Sequence, residues 1–209
     1  MPAFAELLQD DEIAAVVELV RSLRSPPMAE REPEALPLPE FPPATAESIA
    51  DGRALYLALG CWKCHGTDGS GRGPSAGELK NDEGQPIRPR DFRYDPFRGG
   101  RTPETVARAA LSGLIGTPMP SAAEIMVVPR EGFDALLDNI PAEVRPDFDE
   151  FRRKAPSAAE VEALDEDAWQ AARDRNLVSL AHYVLSLSRR DSLVYRLFRQ
   201  EPELEERKP

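Results

Sequence analysis

The sequence predicts an all-α fold. Apolar residues recur at helical spacing in several separate stretches, and capping residues stand at the head of some of them. No stretch alternates apolar and polar residues with period two for long. Asp10 or Asp11 is placed to cap a first helix running to about Leu23, with Ile13, Val16, Val17 and Val20 on one face. Seven prolines then fall between Pro26 and Pro43. Proline lacks an N–H and fixes φ, so residues 25–45 read as an extended linker. Ala46 to Leu59 reads as a second helix, apolar at Ile49, Leu55, Tyr56 and Leu59. From Gly66 to Arg101 the chain is rich in Gly, Pro, Asp and Arg, and loops are expected. Thr102-Pro103-Glu104 starts another helix with a capping hydroxyl, a proline at the first position and an acid in the first turn. Ser157 and Glu160 have capping-box spacing. Asp165 to Arg189 reads as one or two helices, apolar at Trp169, Leu177, Leu180, Val184 and Leu187.

Composition narrows the function. A chain of 209 residues is one domain, or one domain with attachments. The net charge of -11 argues against nucleic acid and anionic membranes as partners. No apolar run approaches the roughly 18 residues of a spanning helix, so no membrane span is expected. Two cysteines cannot build a disulfide scaffold. The charge is uneven: residues 1–45 carry -6, residues 46–120 carry +1 and residues 121–209 carry -6. The acidic flanks read either as solvated helix faces or as a docking surface for a basic partner. The N-terminus does not read as an export signal, because Glu6, Asp10, Asp11 and Glu12 precede the first base, Arg21.

Cys61-Trp62-Lys63-Cys64-His65 is the most informative segment. Two cysteines three apart at a helix end reach one edge of a planar porphyrin, and the histidine that follows is carried beneath the same ring. Thioethers to Cys61 and Cys64 would fix haem c covalently, and the His65 imidazole would take one axial position on iron. Two other readings compete. A thioredoxin-like CxxC wants a strand before it, whereas Tyr56 to Gly60 looks helical. A structural zinc site wants four ligands, and His182 is the only further histidine.

The surroundings carry a family resemblance. Gly52-x3-Tyr56-x4-Cys61 precedes the motif and Gly66-Thr67-Asp68-Gly69-Ser70-Gly71-Arg72-Gly73-Pro74 follows it. Together they resemble the class I c-type cytochromes of bacteria. The resemblance implies that Gly52 and Tyr56 pack on Tyr183 of the last helix. It also implies that the Pro74 carbonyl accepts the free ring N–H of His65. Thr117-Pro118-Met119-Pro120 is similar to the family's distal loop, which makes Met119 the second iron ligand; Met126 is assigned to the core. His182 is its main rival as a ligand. Arg88, Arg90, Arg93, Arg98 and Arg101 cluster between the two ligands, and one or two of them, Arg88 and Arg90 foremost, suit the haem propionates. Leu79 to Phe92 is similar to a stretch of larger, often dihaem, respiratory cytochromes.

What this implies is an electron carrier, not an enzyme. His/Met ligation leaves no open iron site and favours single-electron relay between a redox donor and acceptor. The expected location is the periplasm or the outer face of the bacterial cytoplasmic membrane. The alternative is a haem sensor or peroxidase-like domain with a labile distal ligand. Met1-Pro2-Ala3-Phe4 and Leu19-Val20-Arg21-Ser22-Leu23 resemble the distal loop and last helix a second time. Residues 1–24 thus look like the end of another cytochrome domain, consistent with a dihaem parent or an internal start; a helix that packs on the body is the other reading. The cytochrome domain itself is expected over 46–190, with a charged tail at 191–209. Met119 to Tyr183 is 46 residues longer than Met1 to Leu19, which implies an acidic, helix-prone insert at about 122–168.

Overall fold

A computed structural model describes residues 8–23, 36–97, 99–134, 136–137, 140, 142 and 145–189. The Met1–Phe4 repeat, most of the proline-rich stretch, Arg98 and the tail from 191 lie outside the described residues. The chain divides into two compact units, Met1–Pro37 and Leu38–Pro209. In the first, α1 spans Asp10–Ser22. Its cap is Gln9, not Asp10 or Asp11: the Gln9 N–H donates to Glu12 Oε2 at 2.8 Å, which closes a capping box. The three acids Asp10, Asp11 and Glu12 then fill the first turn, where the helix dipole favours them. Val16, Val17, Leu19 and Val20 are exposed.

The second unit is helical, and among the described residues it has no strand. Lys80 and Pro86 form an isolated antiparallel bridge. It begins at Leu38, ahead of α2, because Leu38 and Phe41 pack against its core. Helix α2 spans Ala46–Ala58 and is capped by Thr45, whose side chain accepts from the Ser48 N–H. A short helix α3, Trp62–His65, follows directly. Helix α4 is Pro103–Ser112, started by Thr102 with Pro103 in its first turn as the sequence indicates. The last helix, α8, runs unbroken over Glu166–Ser186 with Asp165 as its cap.

The crossing of α2 and α8 organises the molecule. A Cβ on Gly52 would lie 1.9 Å from the Ser179 carbonyl oxygen, so glycine is what lets the two backbones touch. Tyr56 and Tyr183 meet edge to face beside it, their ring centroids 5.2 Å apart. Ala107, Ala110 and Leu111 of α4 and Leu177, Leu180 and Val184 of α8 close the first core around them. Met126 is fully buried in this core, and its carbonyl accepts from Asn176 Nδ2 at 2.8 Å.

The acidic insert is folded. A 3₁₀ turn at Ala123–Ile125 leads into α5 (Arg130–Asp134), α6 (Arg145–Lys154) and α7 (Ala158–Glu162). Ser157 and Glu160 form the expected capping box at α7. Phe133, Ile140, Phe148 and Ala155 build a second core on Ala54 and Leu57 of α2. Lys154 reinforces the join from the surface, with its ammonium 3.2 Å from Glu47 and 3.7 Å from Asp51. Trp62 packs against both cores.

Candidate functional site

The Cys-x-x-Cys-His segment is α3 together with the residue before it. Cys61 caps the helix, and the His65 N–H donates to the Cys61 carbonyl at 2.9 Å, which brings cysteine and histidine into a single turn. Both cysteines are free thiols and half-buried. Burial pushes the Cys61 thiol up to about 12, with Cys64 beside it adding to the effect. A thiol so raised stays neutral at physiological pH, the reverse of the activated thiolate that disulfide exchange requires. Among the described residues no three His, Cys, Asp or Glu side chains come together as metal ligands. Among the described residues the zinc reading thus lacks its donors, and the raised Cys61 thiol speaks against thioredoxin-like exchange.

After Gly66 the chain folds back over α3. The Gly71 N–H donates to the His65 carbonyl at 2.8 Å, Gly73 N–H to Cys64 at 3.0 Å and Ser75 N–H to Lys63 at 2.9 Å. Two tyrosines hold the residues next to the histidine: Tyr56 Oη donates to the Gly66 carbonyl at 2.7 Å and Tyr183 Oη to Thr67 at 3.2 Å. A second segment, Pro89 to Phe92, lies across this loop. The Phe92 N–H donates to the Gly69 carbonyl at 2.8 Å. A Cβ on Gly71 would stand 2.5 Å from the Pro89 carbonyl oxygen, so glycine permits the crossing.

That crossing decides what His65 meets. Its Nδ1 lies 3.4 Å from the Arg90 carbonyl. The carbonyl expected here is that of Pro74; the one at hydrogen-bond distance from Nδ1 is that of Arg90. Ser75 turns the chain at Pro74 back toward Lys63, and Pro74 is exposed, while the 89–92 segment fills the position beside the ring. A carbonyl only accepts, so Nδ1 carries the proton and Nε2 is left as a lone-pair donor. Burial lowers the His65 pKa, against which the Arg90 carbonyl works, and the ring is neutral at physiological pH. Phe92 stacks on the imidazole at 4.3 Å with 16° between planes.

The arginines divide. Arg93 is engaged with protein: Nη1 is 2.7 Å from Asp68 Oδ2, and Nε and Nη2 each lie 3.0 Å from an oxygen of Asp91. Arg101 donates to Ser188 Oγ at 2.9 Å. Arg88 is exposed and Arg90 half-buried. Met119 is half-buried on a loop tied back to α4. Its carbonyl accepts from Leu114 N–H at 3.1 Å, its N–H donates to Thr117 Oγ1 at 3.3 Å, and the Ala122 N–H donates to Ala110 at 2.9 Å. His182 is buried with Nδ1 2.9 Å from Ser48 Oγ, and its Nε2 is enclosed without a partner.

Two thiols and an imidazole with one nitrogen already committed, on one helical turn, are the donor set for a covalently attached haem. The family model for cytochrome c matches residues 49–123. Residues 49–123 are a cytochrome c domain. The cofactor of such a domain is covalently bound haem c with its iron, and its chemistry is haem-based electron transfer. The family match thus ends inside the 3₁₀ turn at the start of the insert. Among solved structures the chain is similar to a chain of the reducing HAO-like protein complex of Kuenenia stuttgartiensis. The two are 30% identical with a TM-score of 0.56, over 87% of this chain. This chain spans 62% of that neighbour's length. A comparison with curated proteins finds no match.

Sequence reasoning missed two participants here. The Arg90 backbone carbonyl carries no residue signature, so nothing in the sequence could have found it. Phe92 could have been found as an aromatic beside the arginine cluster, but only the folded loop puts it on His65.

Proposed function

We propose that this cytochrome c relays single electrons between redox proteins, with haem tethered through Cys61 and Cys64 and its iron ligated by His65 and Met119. The observation that carries the reading is the His65 ring: Nδ1 faces the Arg90 carbonyl, so Nε2 is the nitrogen free to bind a metal. Haem iron supplies reversible one-electron chemistry at this place. The chain's own groups supply the rest. Arg90, through its carbonyl, sets the tautomer of His65 and raises the basicity of Nε2. Tyr56 and Tyr183 hold the peptide that follows the ligand. The prolines flanking Met119 stiffen the loop that presents its thioether. Leu111, Ala107 and their neighbours keep water from the interior. Arg88 and Arg90 are the side chains assigned to the propionates, Arg93 and Arg101 being held by protein groups.

Both ligands are then protein groups, and the protein acts as a carrier and not as an enzyme. The likeness to a chain of a reducing HAO-like protein complex supports a place within a larger redox assembly. Donor and acceptor would be redox proteins of a respiratory chain, met in the periplasm or at the outer face of the cytoplasmic membrane. The acidic surface suits partners with basic docking faces.

The test uses the chain produced with an export leader and a haem maturation system. Haem should stay attached through denaturing electrophoresis and give a c-type pyridine haemochrome. Replacing Cys61 and Cys64 together with Ala should abolish the attachment. Haem that remained covalently bound in that double variant would refute the assignment.

A further inference from the structure

The segment after Arg90 does more at His65 than present a carbonyl. We propose that Phe92 and Arg93 are positioning residues that fix the rotation of the His65 ring, and with it the plane in which the imidazole meets the iron. The inference rests on the reading of His65 as the iron ligand.

The Nδ1 contact is long at 3.4 Å and leaves the ring some freedom to turn about its Cβ–Cγ bond. Phe92 removes that freedom. Its ring lies nearly parallel to the imidazole, with centroids 4.3 Å apart, so rotation of His65 would drive its edge into the phenyl face. Phe97 backs this arrangement, stacked on Phe92 at 5.5 Å with 8° between planes. Three stacked rings resist turning where one alone would not.

Arg93 holds the segment in place. Its planar fork binds both oxygens of Asp91, the residue before Phe92, and reaches Asp68 in the loop that follows His65. The backbones of the same two stretches are joined by the Phe92 N–H to Gly69 bond. At the other side, the Arg189 N–H donates to the Arg93 carbonyl at 2.9 Å, which anchors the segment to the end of α8. A lysine could not span both acids, because it is a point charge without a fork.

The orientation of a ligating imidazole selects which of the two iron dπ orbitals holds the unpaired electron in the low-spin ferric state. That choice decides how unpaired spin spreads over the macrocycle. It is visible in the order of the haem-methyl resonances and in the g-values. A phenylalanine that merely filled core space would affect stability and leave both unchanged.

The experiment records proton NMR and EPR spectra of the ferric, haem-loaded full chain, with thermal unfolding in parallel. Phe92→Leu, which keeps apolar bulk and removes the flat face, should reorder the methyl resonances and shift the g-values. Phe92→Tyr should retain the wild-type pattern. Arg93→Ala should displace the same resonances in the same direction, and Arg93→Lys should fail to restore them. Unchanged spectra in Phe92→Leu, whatever its melting temperature, would overturn the proposal; unchanged spectra in Arg93→Ala would remove Arg93 from it. Should Phe92→Leu fail to accumulate, Phe97→Leu takes its place, with a smaller displacement expected and an invariant spectrum counting against the stack. A wild-type spectrum without resonances of an iron-bound imidazole overturns the ligand assignment itself, before any variant is compared.

Discussion

Met119 and His182 are the two side chains between which the distal position must be decided, and their surroundings differ. His182 is enclosed in the α2–α8 contact and spends Nδ1 on Ser48. Its Nε2 has no partner but is enclosed, so to ligate iron it would need the α2–α8 contact around it to open. Met119 sits half-buried on a loop whose backbone is fastened to α4, so its thioether can be supplied without unpacking a helix. Met119→Ala should therefore lower the reduction potential and let the ferrous protein bind carbon monoxide, read by redox titration and visible spectroscopy. An unaltered six-coordinate spectrum would point away from Met119, and a change in His182→Ala alone would favour two histidines. At this scale the sequence was legible wherever chemistry demanded a particular side chain. Cys61, Cys64 and His65 stand out because their spacing puts both thiols and the imidazole on one helical turn. The carbonyl partner of His65 was not legible, since any residue can offer one, and the choice between Pro74 and Arg90 depends on how the 66–75 and 89–92 stretches cross.

Helix starts were legible because caps are local chemistry. Thr45, Thr102, Ser157 and Asp165 each stand where a side-chain oxygen meets an orphan N–H of the first turn. Gln9 was not anticipated, because Asp10 and Asp11 are better caps by type but serve inside the first turn. What each helix packs against was harder to read. Phe148 and Phe151 lie at helical spacing in α6, yet that periodicity does not name the surface they cover. The structure gives it as α2, through Ala54 and Leu57, both apolar and buried in the second core. The insert is thus fastened to a helix of the haem-binding body. Phe148→Ala should cost roughly 3–5 kcal/mol in denaturant unfolding, the range for a large buried aromatic. A loss below about 1 kcal/mol would mean that the insert contributes little to the fold.

Across the whole molecule, charge and core follow different boundaries. The stretch that includes the cytochrome c motifs is nearly neutral, and the excess acid lies in residues 1–45 and 121–209. Such a field attracts cations over a distance set by ionic strength. Reduction by a cationic ruthenium ammine should therefore slow as salt is raised, and oxidation by anionic ferricyanide should quicken, both measured by stopped flow. The opposite signs would show that the haem sees a local positive field and not the net charge of -11. The cores divide elsewhere. One lies at the α2–α8 crossing and the other beneath the insert, and both include Trp62, the residue that follows Cys61. Its indole N–H is enclosed without a partner. An indole so near a haem passes its excitation to the porphyrin, which absorbs where tryptophan emits. Trp62, next to the attachment cysteine, should therefore be quenched more deeply in the haem-loaded protein than Trp169, the only other indole. Light returning from Trp62 would signal that the attachment turn has parted from its haem, which makes the shared residue a built-in optical gauge of whether the two cores still close on the same turn.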